Sequence, residues 1–233
     1  MKAIILAAGL GSRLRPLTDD RPKALVVVNG ESFFERQIRQ LRSAGVDLIT
    51  VVTGYRAEAF EPWRDDPDLS FVFNEHYHDR NNLWSMYLVR DRLPASFVLE
   101  GDIRLVEGII PTSAPLESCV FTGWRDDMKN EWVVHAGDNG GVQSIIPSSG
   151  SGWILAGMSF WTERDGSIMA RLLEASILQP GWEQLFWDDV YRLNLDRLDL
   201  HALRIGPKDW VEIDTIEDKL RFEASLDRSS TLP

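Results

Sequence analysis

A chain of 233 residues, 44% apolar and 26% charged, is long enough for one large α/β domain with a sizeable core and too balanced in composition for disorder. Its formal charge of −11 argues against nucleic acid and against an anionic membrane surface as partners, and leaves small anionic ligands only where cations are gathered locally or brought by a metal. The single cysteine, Cys119, allows no internal disulfide, the apolar run Ala3 to Ala8 is too short for a signal-peptide core, and no stretch approaches the ~20 apolar residues of a spanning helix, so a cytoplasmic protein is expected.

Lys2 to Ala7, rich in Ile and Leu, reads as a buried strand followed by a glycine-rich turn. Pro22 to Val28 reads as extended. Ser32 to Ala44 places Phe34, Ile38 and Leu41 at helical spacing, and Gly45 marks its end. Leu48 to Thr53 is a second buried strand, Ala57 to Trp63 a weak helix stopped near Pro62, and Leu69 to Phe73 a third strand. Asn82 to Leu93 predicts a helix capped by Asn81, with Leu83 over Tyr87 and Trp84 over Leu88. Phe97 to Leu99 is a fourth strand running into Glu100-Gly101-Asp102. This alternation of strand and helix means βαβ units and a mostly parallel sheet. Beyond it, Ser118–Trp124, Trp132–Ala136, Val142–Ile146 and Ile154–Trp161 read as strands, and 168–178 and 182–193 as helices. Trp210 to Ile213 is a late strand and Thr215 to Leu226 a closing helix. No linker or repeat is visible, so one domain over residues 1–226 is expected, with a flexible polar tail over 227–233.

Leu6-Ala7-Ala8-Gly9-Leu10-Gly11-Ser12-Arg13 carries the most chemical information. Glycine lets backbone N–H groups approach phosphate oxygens, and Arg13, Arg15 and Lys23 add positive charge suited to a triphosphate. A dinucleotide fingerprint wants a glycine at position 14, where Leu14 stands, and the Gly-Lys-Ser/Thr of a P-loop is absent. Pro16 stops a helix from starting at the loop, so the loop is expected to wrap over a nucleotide. Two glycines alone would suit a plain strand-to-loop turn; the continuation through Pro22-Lys23-Ala24-Leu25 goes beyond that.

Leu6-Ala7-Ala8-Gly9-x-Gly11-x-Arg13 with Pro22-Lys23 resembles the signature of nucleotidylyltransferases that activate sugar phosphates and alcohol phosphates. Asn81-Asn82-Leu83-Trp84-Ser85-Met86-Tyr87-Leu88, Asn130-Glu131-Trp132, Gly157-Met158-Ser159-Phe160-Trp161, Phe186-Trp187-Asp188-Asp189 and Glu212-Ile213-Asp214 narrow the likeness. Together they resemble the bacterial CTP:phosphocholine cytidylyltransferases and relatives that activate aminoethylphosphonate, over roughly Met1 to Glu223. The resemblance implies an α/β fold, a Rossmann-like α/β/α sandwich with a mixed, mostly parallel sheet of the nucleotide-diphospho-sugar transferase type. It also implies nucleotide contacts from Leu6, Ala7, Ala8, Gly9, Gly11, Ser12, Arg13, Lys23, Asn82 and Ser85, with CTP chosen over UTP on the resemblance alone.

Asp102 follows a buried strand and should reach the cleft beyond the strand's carboxyl end. Glu212 and Asp214, two positions apart on a strand, should share a face while Val211 and Ile213 turn to the core. Mg²⁺ takes one or two carboxylates plus phosphate oxygens and waters, so Asp102 and Asp214 are expected to hold it, as the resemblance also implies, with Glu212 in support. Taken singly, Asp102 suits a turn and Asp214 a helix cap. The expected reaction is in-line attack of a phosphate oxygen on the α-phosphorus of CTP. The nucleophile's second pKa lies near ~6, so no general base is needed. Lys23, Arg13, Asp102 and Asp214 form the catalytic set.

Nine tryptophans are many for this length. Trp161, Trp84 and Trp63 are assigned to packing. Trp132, Phe186, Trp187 and Trp210 sit beside carboxylates and suit a quaternary ammonium, which aromatic faces attract by about 0.5–2 kcal/mol each. The resemblance implies that aromatics of the Asn-Glu-Trp and Trp-Asp segments line the choline pocket, and the expected acceptor set is Trp132, Phe186, Trp187, Asp188 and Glu212. Phe186 stands where the similar family has tyrosine and Asp189 where it has asparagine; a primary ammonium would lean on Asp188 and Asp189. His76, His78, His135 and His201 are given surface or structural roles. The expected partners are CTP and a small phosphorylated or phosphonate substrate, no nucleic acid and no membrane, for a monomer or homodimer. A sugar-1-phosphate nucleotidylyltransferase is the competing reading.

Overall fold

The computed structural model describes the backbone of residues 1–229 and the side chains of residues 1–226. The strands and helices run β1 (Lys2–Ala7), β2 (Val27–Val28), β3 (Glu31–Ser32), α1 (Phe33–Ser43), β4 (Leu48–Thr53), β5 (Leu69–Phe73), α2 (Asn82–Leu88), β6 (Ser96–Glu100) and β7 (Ile103–Leu105). They continue as β8 (Ser118–Ala136), β9 (Val142–Trp161), α3 (Glu163–Ser176), α4 (Trp187–Arg192), β10 (Leu200–Ile205), β11 (Trp210–Glu212) and α5 (Ile216–Ser229).

Seven strands form one sheet in the order β10-β8-β9-β6-β1-β4-β5. Every pairing is parallel except those of β9 with β6 and β8, so β9 alone runs against the rest. β1 shows why the layers form. Its alternate residues Ala3, Ile5 and Ala7 pack on one face with Phe34, Ile38 and Leu41 of α1. Ile4 and Leu6 pack on the other with Leu83 and Met86 of α2, Met169 and Leu172 of α3, and Trp187 and Tyr191 of α4. The result is the expected α/β/α sandwich with a mixed, mostly parallel sheet.

The helix α1 begins at a capping box. Ser32 Oγ accepts the Glu35 N–H at 3.2 Å while Glu35 accepts the Ser32 N–H at 3.1 Å. Elsewhere the elements differ from expectation for identifiable reasons. The segment 22–28, read as extended, contains a 3₁₀ turn over Lys23–Leu25 before β2. The helix expected to reach Leu93 ends at Leu88 and continues as a 3₁₀ turn. The four strands read between 118 and 161 are two long ones, because cross-strand pairing carries them through polar stretches that lack a local signal. The helices read over 168–178 and 182–193 are α3, which begins earlier at Glu163, and a 3₁₀ turn followed by the short α4. Asn81 stands at the start of α2 without capping it; its side chain donates to the Gln184 carbonyl at 2.6 Å and ties α2 to the segment before α4. α5 is helical through Ser229, past the expected start of the tail, and residues 230–233 lie outside the described residues. Among the described residues no helix is long and apolar enough to cross a membrane.

Candidate active site

Two clefts open beyond the carboxyl ends of β1 and β6, where open α/β sheets place their ligands. The first, about 330 Å³, is lined by the turn Leu6 to Arg13 together with Lys23, Ala24, Asn82, Ser85, Glu100, Gly101, Asp102 and Asp214. Every residue expected at the nucleotide therefore lines one cavity. The turn is held tightly. Gly11 has φ +59°, and a Cβ there would come within 2.9 Å of the Lys23 Cβ. Thr18 Oγ1 donates to the Gly11 carbonyl at 2.9 Å, and Leu14 anchors the following 3₁₀ turn in a small core with Val26, Phe33 and Ile213. Arg15, grouped with these cations by sequence, turns away and lies 3.5 Å from Asp19 on the surface.

Asp102 sits in the turn between β6 and β7, and β11 pairs with β7 so that Glu212 lies opposite Ile103. That antiparallel pairing brings Asp102, Glu212 and Asp214 together, one carboxylate oxygen from each within 4.8 Å of the others. Asp214 is not a helix cap; Thr215 and Asp218 cap α5 through reciprocal bonds of 3.1 and 2.9 Å. Lys23 Nζ lies 2.7 Å from Asp102 and 2.6 Å from Asp214, and Arg13 donates to Asp214 at 2.8 Å. Burial alone would depress the Lys23 ammonium, but the two aspartates outweigh it and raise its pKa. Glu212 is pushed up to about 8 by burial and by Asp102 and Asp214. An oxygen-only cluster of three carboxyl groups at this spacing fits a hard divalent cation.

The second cleft, about 250 Å³, adjoins the first, and Asn82, Glu100 and Asp102 line both. Trp132 from β8, Phe186, Trp187 and Tyr191 supply aromatic walls; Glu100, Asp102, Glu131, Asp188 and Glu212 supply carboxylates. No lysine or arginine among the described residues lines it. Asp188 accepts the Tyr191 hydroxyl at 2.6 Å; burial raises its pKa to about 6, against the lowering effect of that bond. All five residues expected at the acceptor lie here.

Sequence reasoning missed Glu100 and Tyr191. Glu100 accepts the Trp187 indole N–H at 2.9 Å and lies 3.5 Å from the Asn82 amide nitrogen. Burial, then Asp188 and Asp102, hold its pKa well above the usual carboxylate range. The place of Glu100 at the carboxyl end of β6, where open α/β sheets bind their ligands, was the available signal for it. Two expectations are corrected. Trp210 does not join the acceptor aromatics; it is buried in the core under the Arg125 guanidinium, 4.9 Å from its ring. Asp189 does not face the cleft, because its carboxylate is taken by the Phe186 N–H and Arg192, each at 2.8 Å. Trp84, given to packing, is half-buried and stacks on Tyr87 at 5.0 Å.

Residues 3–137 match the MobA-like NTP transferase domain. The choline-phosphate cytidylyltransferase of Streptococcus pneumoniae is 36% identical over 97% of this chain and 98% of its own. The 2-aminoethylphosphonate cytidylyltransferase of Lancefieldella rimae is 34% identical over 95% of this chain and 91% of its own. A solved structure of the CTP:phosphocholine cytidylyltransferase from Streptococcus pneumoniae superposes with a TM-score of 0.93 at 36% identity, covering 97% of this chain and 98% of that one. With these extents of match, the chain belongs to the MobA-like NTP transferase family, within the group that holds the bacterial choline-phosphate cytidylyltransferases.

Proposed function

We propose that this chain transfers CMP from CTP to a small phosphorylated amino alcohol, phosphocholine foremost, giving CDP-choline and pyrophosphate. One observation carries the choice of acceptor. A cleft walled by four aromatic residues and five carboxylates, with no lining lysine or arginine, adjoins a glycine-turn cleft that holds Arg13 and Lys23. The first chemistry suits a cationic head group and the second a triphosphate.

In this reading Leu6, Ala7, Ala8, Gly9, Gly11 and Ser12 approach the triphosphate with their backbone, and Asn82 and Ser85 line the nucleoside side. Arg13 and Lys23 exchange their carboxylate partners for phosphate oxygens. Trp132, Phe186 and Trp187 surround the ammonium, with the carboxyl groups of Asp188 and Glu212 beside it. A phosphate oxygen of the acceptor then forms a bond to the α-phosphorus as the bond to the β-phosphate oxygen breaks, and pyrophosphate leaves. No side chain accepts a proton, since a phosphomonoester is already largely dianionic at neutral pH, with a second pKa near ~6. Asp102 and Asp214, with Glu212 beside them, would hold Mg²⁺, which supplies neutralisation of charge on the phosphoryl group when bound.

Asp188 and Glu131 would also suit the primary ammonium of 2-aminoethylphosphonate or phosphoethanolamine, and that is the second reading. The test is pyrophosphate release with Mg²⁺, CTP and each acceptor in turn. Turnover only with a hexose phosphate and UTP or dTTP, or none with the three amino acceptors, rejects the proposal. We take the unit to be a single domain over residues 1–226, a monomer or homodimer of the cytoplasm; limited proteolysis, sedimentation and cell fractionation address these three points.

A further inference from the structure

Asp189 is 6% exposed, and it divides its carboxylate between the two ends of α4. Oδ2 accepts the Phe186 N–H and Oδ1 accepts the Arg192 Nε–H, both at 2.8 Å. Arg192 in turn lays its guanidinium 4.5 Å from the centroid of the Trp132 ring. Trp132 comes from β8 and Phe186 from the residue before α4, and both line the acceptor cleft. One buried carboxylate thus steadies two aromatic walls that lie far apart in sequence.

The electrostatics follow from the same contacts. A guanidinium on one face of an indole draws on the ring's negative quadrupole and opposes a second cation at that ring. The Arg192 side chain is only 24% exposed, so water screens its charge incompletely. Asp189 lies in direct contact and offsets that charge, so Trp132 is held without a net positive charge behind it. The pair gives up Asp189 as a direct ligand for an ammonium and makes it a counter-ion to the residue that seats the ring.

We infer that Asp189 and Arg192 form an electroneutral clamp on Trp132, and that the charge balance of this pair sets how far the cleft prefers a cationic over a neutral head group. The inference rests on the proposed acceptor class and adds two positioning residues to it, neither of which lines the cleft.

The test compares choline with its uncharged carbon isostere, 3,3-dimethylbutanol, by calorimetry on the full chain, alongside steady-state KM values for phosphocholine and CTP. Asp189→Asn keeps the size and leaves Arg192 unbalanced. Its ratio of choline to dimethylbutanol affinity should fall about fivefold, and the phosphocholine KM rise by a similar factor, with kcat and the CTP KM within about twofold of wild type. The double variant Asp189→Asn/Arg192→Gln removes both charges and should restore the ratio. Arg192→Gln alone leaves Asp189 negative and should raise it, which keeps the test alive if Asp189→Asn does not fold. A ratio that stays unchanged in every folded variant, or a double variant no better than Asp189→Asn, overturns the clamp. Absence of turnover by the wild type with phosphocholine would overturn the proposed reaction instead, while the affinity ratio still reads the clamp.

Discussion

The indole N–H of Trp187 donates to the Glu100 carboxylate at 2.9 Å, and the bond joins the wall between the two clefts to the aromatic lining of one of them. Trp187→Phe keeps a ring but removes the donor, leaving Glu100 with only the 3.5 Å approach of Asn82. Chemical denaturation should show a loss of ~1 kcal/mol, the lower end of the cost of stranding a polar group, since Glu100 is partly buried. The acceptor KM should rise while the CTP KM stays near wild type. Equal shifts in both would mean that the bond does not separate the two clefts.

Lys23 bridges Asp102 and Asp214, so Lys23→Ala removes a triphosphate ligand and also the charge between two carboxylates. Turnover should drop by about 10²–10³-fold, the usual effect of deleting one preorganised electrostatic group. Added Mg²⁺ should raise the variant's Tm more than that of wild type, since the ion then has less competition for the acidic cluster. Turnover within threefold of wild type would remove Lys23 from the catalytic set.

Asp102→Ala deletes one member of the carboxylate cluster on a partly exposed turn. The fold should persist, as judged by circular dichroism and an unchanged unfolding cooperativity. Turnover should fall by at least about 10²-fold, and the Tm gain on adding Mg²⁺ should vanish. A full Mg²⁺ response in this variant would place the ion elsewhere.

Thermal stability without metal should decline as pH rises from 5 to 8.5. Glu212 has its folded pKa raised from 4.5 to about 8, and Asp188 from 3.8 to about 6. The folded state therefore binds the extra protons, and its relative advantage is complete below the unfolded pKa values and lost as pH passes about 6 for Asp188 and about 8 for Glu212. The raised pKa of Lys23 acts only at much higher pH, above its ordinary 10.5. Melts at constant low ionic strength should show the decline, and Glu212→Gln should flatten the part between pH 6 and 8. A wild-type Tm that rises through this window contradicts the assignment.

Gly101 permits β6 to turn directly against β1. A Cβ there would lie 2.7 Å from the Leu6 carbonyl oxygen and 3.2 Å from the Ala7 Cα. Gly101→Ala must push the nucleotide turn aside, at a cost of ~1–3 kcal/mol by analogy with overpacked cores. Titration with CTP should show weakened binding, whereas choline binding measured alone should change little.

Local pattern determined a good deal of this molecule. The unbroken apolar run in Lys2 to Ala7 demands apolar cover on both faces, hence a sandwich. The Ser32 and Glu35 pair starts α1, and the glycine turn with Arg13 and Lys23 is legible because its chemistry lies within a few residues. β10 escaped notice because His201 and Arg204 interrupt its apolar character, and parallel pairing with β8 supplies what its own sequence lacks. Which charge meets which could be decided only in three dimensions. Lys23 and Asp214 are 191 positions apart, Glu100 and Trp187 are 87 apart, and the carboxylates of neighbouring Asp188 and Asp189 take different directions. Helical rotation carries adjacent residues to different faces, so one aspartate lines the acceptor cleft while the next is spent on Arg192, and nothing in their shared residue type distinguishes them.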